Sequence, residues 1–261
     1  MKKTLIAAAG IGLLLAATAC SSSDTSSSSS ATSLTPANRT TVTAPDLSSY
    51  PKLPAAPVQE SATAACSYPA SGQPIKPVTP PSADGVPTAG TATIAMTTSQ
   101  GPIGLTLNRA EAPCTVNSFV SLARQGYYND TPCHRLSTSG LYILQCGDPS
   151  GSGRGGPGYG YLNEYPSNQF APSDPAGQQS VVYPRGTIAM ANTGQPGSNG
   201  SQFFLVYQDS PLPPQYTVFG TIDDAGLATI EKVAAAGDDG SMSAGGGKPN
   251  TPVQIQTVTA S

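Results

Sequence analysis

The chain holds one histidine, His134, and it stands in the run CHRLSTSGLYILQC, residues 133–146. Arg135 follows it, and Cys133 and Cys146 close the two ends. A Cys/His set suggests a zinc site or an activated thiol. Zinc fits poorly, because structural sites favour close cysteine pairs and a fourth ligand. Adjacent residues of a strand also point to opposite faces, so Cys133 and His134 cannot easily share an ion. The same geometry separates a Cys133 nucleophile from a His134 base, which need hydrogen-bond reach. A second run, GSGRGG at 151–156, matches G-x-G-x-x-G. A dinucleotide fingerprint must lie between a strand and a helix. Here Pro157 and GYGYLNEY follow, with no Lys-Ser/Thr for a phosphate loop. Neither a metal nor a cofactor is expected.

The elements that must position these groups begin near Thr91. TATIAMTTS and GPIGLTLN are β-rich runs joined by a turn at Gln100–Gly101. APCTVNSFVSLARQG reads as a helix with an apolar stripe of Val116, Phe119, Val120 and Leu122, and Gly126 is its expected C-cap. CHRLS and LYILQC are short apolar strands, followed by Gly-rich loops to Tyr161. GTIAMAN, SQFFLVY and YTVFGTI are three more strands, GLATIEKVAAAG is a second helix ending at Gly237, and PVQIQTVTA closes as an alternating strand. Eight strands and two helices predict a mainly β fold, a closed eight-stranded antiparallel barrel capped by two helices.

The first 87 residues read differently. MKKTLIAAAGIGLLLAATAC has a basic start, an apolar stretch from Leu5 to Ala17 too short to span a bilayer comfortably, and small residues before Cys20. This is the layout of a secretory signal, residues 1–19. Its ending resembles a bacterial lipoprotein box, with Ala17 where Leu is usual, so lipidation at Cys20 and a lipid anchor on the outer side of the cell membrane are expected. Cleavage there removes Lys2 and Lys3 and takes the net charge from −3 to −5. Residues 20–87 are rich in Ser, Thr and Pro and are expected to form a disordered, extended tether, leaving 88–261 as the folded domain. With 10% charged residues and no basic cluster beyond the start, nucleic-acid binding is not expected.

CHRLSTSGLYILQCGDPSGSGRGGPGYGYLNE resembles the central stretch of the cyclophilins, the peptidyl-prolyl cis–trans isomerases: Phe-His-Arg, an aromatic, Gln, Gly-Asp-Pro and a Gly-rich loop. GTIAMANTGQPGSNGSQFFLVY is similar to their second signature, and YTVFGTI to a third. The likeness covers about Thr91 to Ala260. It implies an isomerase acting on X–Pro bonds of proline-containing polypeptides, with Arg135 as the donor to the prolyl nitrogen. Tyr142, Ile143, Phe204 and Leu212 align with the apolar proline pocket. Gln145 and Gln202 align with groups that position the peptide carbonyl and the rim, and Ala191 and Asn192 with the segment that grips the peptide backbone. Three departures stand out. Tyr142 replaces a common Phe. The Arg135–Gln145 hairpin is about two residues longer, which leaves open whether Tyr142 or Leu141 faces the proline. No Trp is present; Pro211 stands near the usual rim Trp and Tyr216 in the place of a rim His. Relatives without that Trp tend to bind cyclosporin poorly, so weak sensitivity is implied.

Four cysteines follow Cys20 and allow three pairings. Cys133 and Cys146 flank a hairpin, and Cys66 with Cys114 would pin the tether's end to the first helix. His134 is expected to point away from the chemistry into a structural hydrogen bond. The expected protein is a monomeric, exported folding enzyme; the alternative is a low-turnover peptide-binding or chaperone module with the same fold.

Overall fold

The structure, a computed structural model, describes residues 46–261. The expected signal peptide, Cys20 and the tether up to residue 45 lie outside the described residues. The barrel begins with a hairpin whose alternation is visible in the sequence. Strands β3 (Thr91–Thr98) and β4 (Gly101–Asn108) pair along their whole length. Ala92, Ile94, Met96, Ile103, Leu105 and Leu107 are buried on one face, as period-2 alternation requires.

Two short strands precede this hairpin, β1 (Thr63–Ala64) and β2 (Val86–Pro87). Helix α1 (Pro113–Arg124) follows it, then β5 (Thr131–Cys133), β6 (Arg135–Ser139), β7 (Leu141–Cys146) and β8 (Val181–Tyr183). The chain continues through β9 (Thr187–Met190), β10 (Phe203–Val206), β11 (Ser210–Leu212), β12 (Val218–Ile222), α2 (Asp224–Ala235) and β13 (Val253–Ala260). Nine of these form one antiparallel sheet in the order β5-β13-β3-β4-β12-β9-β10-β7-β6. Its end strands, β5 and β6, are separated in the chain by His134 alone. One bent strand therefore pairs with β13 through its first half and with β7 through its second. Counted so, the sheet has the eight expected strands and closes on itself.

The interior is filled by the hairpin residues with Leu136, Leu144, Phe203, Leu205 and Phe219. Helix α1 plugs one end with Phe119, which stacks on Tyr128 at 4.8 Å between ring centroids and meets Phe203 and Phe219. Ala112, its N-cap, offers no side-chain cap. Glu164 replaces it from a distant loop, accepting from the N–H groups of Cys114 and Thr115 and from the Thr115 hydroxyl. Burial pushes the Glu164 carboxyl up, and these hydrogen bonds work against that shift. Gly126 ends the helix in the left-handed region at φ +69°. At the other cap, α2 is started by Asp223, whose carboxylate accepts from Gly226 N at 2.7 Å.

Both expected disulfides are present, Cys66–Cys114 and Cys133–Cys146. Neither Cys133 nor Cys146 is a thiolate, so zinc binding and thiol nucleophilicity at this pair are excluded.

The tether expected over 20–87 needs correction for its described part. Residues 46–87 form an arm laid on the domain. Lys52 bridges to Val182, Tyr165 Oη donates to Pro54 O, and Gln59 Nε2 donates to Ala110 O. Tyr68 Oη donates to Cys114 O beside the disulfide. Few of these anchors are apolar. The arm is held by backbone groups, one disulfide, scattered polar side chains and a few widely spaced apolar residues, Leu53, Tyr68, Val78 and the buried Val86, which a compositional reading of Pro- and Ser-rich sequence does not register.

Candidate active site

Strand register builds the site. Arg135 on β6 lies opposite Gln145 on β7, Gln145 opposite Phe204 on β10, and Phe204 opposite Ala189 on β9. Residues directly opposite in a sheet share a face, so one transverse row carries a guanidinium, an amide, an aromatic ring and a methyl group. This face lies outside the barrel. Ile143, Tyr183, Ala189, Phe204, Val206 and Val218 form an apolar cluster there, with Leu141, Ala191, Leu212 and Tyr216 packed against it. Phe204 meets Tyr216 edge-on at 5.7 Å.

Tyr142 does not join this face. Its side chain sits in the barrel interior, 7% exposed, with its ring edge-on to Tyr207. Alternation explains the correction. Ile143 and Gln145 face the apolar cluster, so Leu141 shares their side and Tyr142 takes the other. The longer turn shifts the match by one residue, and Leu141 is the aliphatic group at that end of the cluster.

The polar groups form a chain. Arg135 Nη1 donates to Gln145 Oε1 at 3.4 Å, Gln145 Nε2 to Gln202 Oε1 at 3.0 Å, and Gln202 Nε2 to Gly155 O at 3.0 Å. Each amide is oriented by its neighbour. Arg135 is also held from behind: Nε donates to Gly245 O at 3.1 Å and Nη2 to Ala244 O at 3.0 Å. These two carbonyls escaped the sequence reading. Backbone acceptors have no side-chain signature, and the only available sign is the turn-forming run AGGG at 244–247. Burial lowers the Arg135 guanidinium from its usual range, while Tyr216 and Asp238 act the other way; it stays charged at neutral pH.

The segment after β9 runs along the same face. Ala191 N donates to Gln202 O at 2.9 Å. Asn192 Nδ2 donates to Gln215 O at 2.9 Å and to Asn163 Oδ1 at 3.2 Å, which fixes its side chain. Gln145, Ala191, Asn192 and Gln202 also line a groove of about 440 Å³ that continues over the Gly-rich loop.

His134 corrects a second expectation. It is 5% exposed, and neither ring nitrogen makes a hydrogen bond. Its polar neighbours are Asp148 and Gln202, and both are already engaged. The Asp148 carboxylate accepts from the backbone N–H of Ser150, Arg154 and Gly155 and from the Ser150 and Ser152 hydroxyls. Burial pushes Asp148 up, but these bonds hold it below the usual carboxylate range. Asp148 thus gathers the Gly-rich loop, which closes over the imidazole at Gly153. Burial holds His134 below its ordinary value of 6.5; Arg135 adds to this and Asp148 opposes it.

The unfolded chain therefore takes up the proton first, and stability falls as pH drops below about 6.5. We predict a loss of at most about 1.4 kcal/mol from this group by pH 5.5, read as a fall in Tm between pH 7.5 and 5.5. His134→Leu should flatten that part of the slope. An unchanged slope in the variant would assign it to other groups.

Comparison with known proteins agrees with this geometry. Residues 93–260 match the family described as cyclophilin type peptidyl-prolyl cis-trans isomerase/CLD. The chain is 57% identical over 198 residues to a probable peptidyl-prolyl cis-trans isomerase B of Mycobacterium leprae, covering 74% of this chain and 65% of the relative. It is 52% identical over 213 residues to the protein of the same description in Mycobacterium tuberculosis, covering 80% and 67%. The chain thus spans about two thirds of the length of these relatives. Among solved structures, a Cryptosporidium parvum cyclophilin type isomerase superposes with a TM-score of 0.52 at 28% identity, over 66% of this chain and 98% of that one. The same protein was solved in the presence of the dipeptide Ala-Pro.

Proposed function

The chain belongs to the cyclophilin-type peptidyl-prolyl cis-trans isomerase family, and from that premise we propose that it accelerates rotation about X–Pro bonds in exported polypeptides, with Arg135 as the electrostatic catalyst. Rotation of the X–Pro amide is slow because it breaks resonance against a barrier of about 18–20 kcal/mol. No covalent intermediate is needed. The proline ring has to be held still while the amide twists, and the nitrogen lone pair has to be satisfied once it leaves conjugation with the carbonyl. An apolar surface of Phe204, Leu212, Ile143 and Leu141 holds the ring. A guanidinium N–H aimed at the prolyl nitrogen stabilises the twisted state over the planar one. The Gln145 amide orients the moving carbonyl, and the backbone at Ala191–Asn192 holds the peptide.

The observation that carries this reading is the transverse row, which sets the charged Arg135 one strand from the apolar cluster with the Gln145 amide between. The test is a proline-peptide isomerisation assay with Arg135→Ala as control. Acceleration by wild type and its loss in the variant support the reading. Equal, uncatalysed rates in both would favour a peptide-binding module.

The Ala244–Gly245 turn is proposed as a positioning device. Gly246 stands at φ +73°, and a Cβ there would meet Leu136 O at 2.1 Å and Ser137 Cα at 2.9 Å. Gly246→Ala should therefore push the turn off β6 and leave the guanidinium unaimed. We expect kcat to fall about tenfold, about 1.4 kcal/mol of barrier, with KM little changed. A folded variant with wild-type kcat would remove the turn from the account.

The signal-like N-terminus and both disulfides support an extracytoplasmic setting, and we place Cys20 as the lipid attachment point to the membrane. Mass analysis of the mature N-terminus tests that assignment: an acylated Cys20 is expected, and an unprocessed Met1 would contradict it.

A further inference from the structure

The N-terminal arm lies outside the family-matched residues 93–260, yet it reaches the site. Ser71 N donates to Gly158 O at 2.9 Å, Gly160 N to Pro69 O at 2.9 Å, and Ile75 N to Gly156 O at 3.0 Å. Ala70 and Tyr159 form a β-bridge. Lys76 Nζ anchors the next residues by donating to the carbonyls of Tyr127 and Asn129. The glycines of the loop make room for this contact. A Cβ on Gly158, which stands at φ +83°, would meet Pro74 Cδ at 2.9 Å, and one on Gly155 would meet Ile75 Cγ1 at 2.7 Å. Arm and loop are therefore matched surfaces, and Cys66–Cys114 fixes the arm just before it reaches the loop.

The result is a groove with two owners. Ser71, Gly72 and Gln73 of the arm line one side, and Arg154, Asn192 and Gln202 of the isomerase domain line the others. Among the lining residues Arg154 is the single charged side chain, amides and hydroxyls supply the other polar side chains, and no carboxylate is present. A carboxylate entering here meets one guanidinium, and the lining holds no carboxylate to repel it. The groove shares Gln145, Ala191, Asn192 and Gln202 with the candidate active site, so its occupant is a side chain of the same bound polypeptide, away from the proline.

We infer that Ser71–Gln73 of the arm forms a specificity wall which, with Arg154, selects polypeptides carrying an acidic side chain near the isomerised X–Pro bond. This rests on the isomerase reading and deepens it. The experiment uses the full chain and a peptide set with one X–Pro bond, in which Glu, Ala or Lys is placed at the second and third positions on either side of proline. Wild type should favour Glu over Lys at one of these positions by about three- to tenfold in kcat/KM, a difference expressed in KM. Arg154→Gln should reduce that ratio. Gln73→Ala and Gly158→Ala should reduce it too, the first by trimming the wall and the second by displacing it. No Glu preference in wild type, or a preference that survives both arm variants, would overturn the wall. Turnover of the Ala peptides by wild type upholds the isomerase reading whichever way the ratio moves; its absence would overturn that reading and the wall together.

Discussion

Arg135→Ala should lower kcat/KM on a proline peptide roughly a hundred- to a thousandfold, the usual cost of removing one preorganised donor from a site of developing charge. The loss should fall on kcat, because the apolar cluster that holds the ring does not include Arg135. Arg135→Lys should recover little of it. Two N–H groups, at Nε and Nη2 along one edge of the guanidinium, are committed to Gly245 O and Ala244 O, and Nη1 meets Gln145 at the long distance of 3.4 Å. That division leaves one edge of a rigid fork for substrate, and an ammonium on a flexible stem cannot reproduce it. Stability should drop by only about 1–2 kcal/mol, since the lost hydrogen bonds are partly exposed. Tm and kinetics measured on the same preparations separate the two effects. A variant that keeps most of its kcat would move the catalytic role elsewhere.

Losing the two disulfides should produce the largest change in stability. In the chain-entropy account, the bridge with a sequence separation of 48, Cys66–Cys114, contributes about 4 kcal/mol, and the one with a separation of 13, Cys133–Cys146, about 3 kcal/mol. Both figures are large against the 5–15 kcal/mol typical of a folded domain. Their consequences differ by position. Cys66→Ser with Cys114→Ser releases the arm at its anchor on α1. Cys133→Ser with Cys146→Ser loosens the bent strand at the point where the barrel closes, one residue pair from Arg135 and Gln145. Denaturant unfolding of the wild type and the two double variants measures each contribution, and the second pair should also lose activity below its melting transition. Midpoints equal to that of the oxidised wild type would show that neither bridge constrains the unfolded chain as described.

The barrel was legible where periodicity is strict. TATIAMTT, GPIGLTLN and VQIQTVTA alternate, and α1 shows its stripe from Val116 to Leu122. Arg135, Gln145 and Phe204 were legible through their likeness to family motifs, and register then placed them in one row. The bend at His134 was not legible, because splitting one strand between two partners leaves no mark on composition. Tyr142 was misassigned because the longer hairpin moved the match by one residue, and a shift of one in a strand exchanges faces. The arm was missed for a related reason. Extended Pro-rich sequence has no burial period, and its anchors are backbone carbonyls, isolated apolar residues such as Leu53, Val78 and Val86, and a cysteine whose partner lies 48 residues away. His134 makes no hydrogen bond through its ring, and the carboxylate in its neighbourhood, Asp148, is already saturated by the loop.

The most direct measurement of the central claim is exchange NMR on a peptide with one X–Pro bond, recorded with and without a catalytic amount of the full chain. Uncatalysed exchange takes tens to hundreds of seconds and gives no cross-peaks between cis and trans signals on the timescale of a sub-second mixing period. Cross-peaks should appear with wild type, persist in the presence of a chelator, and vanish with Arg135→Ala. Cis and trans signals that shift on binding but never exchange with wild type would contradict the claim.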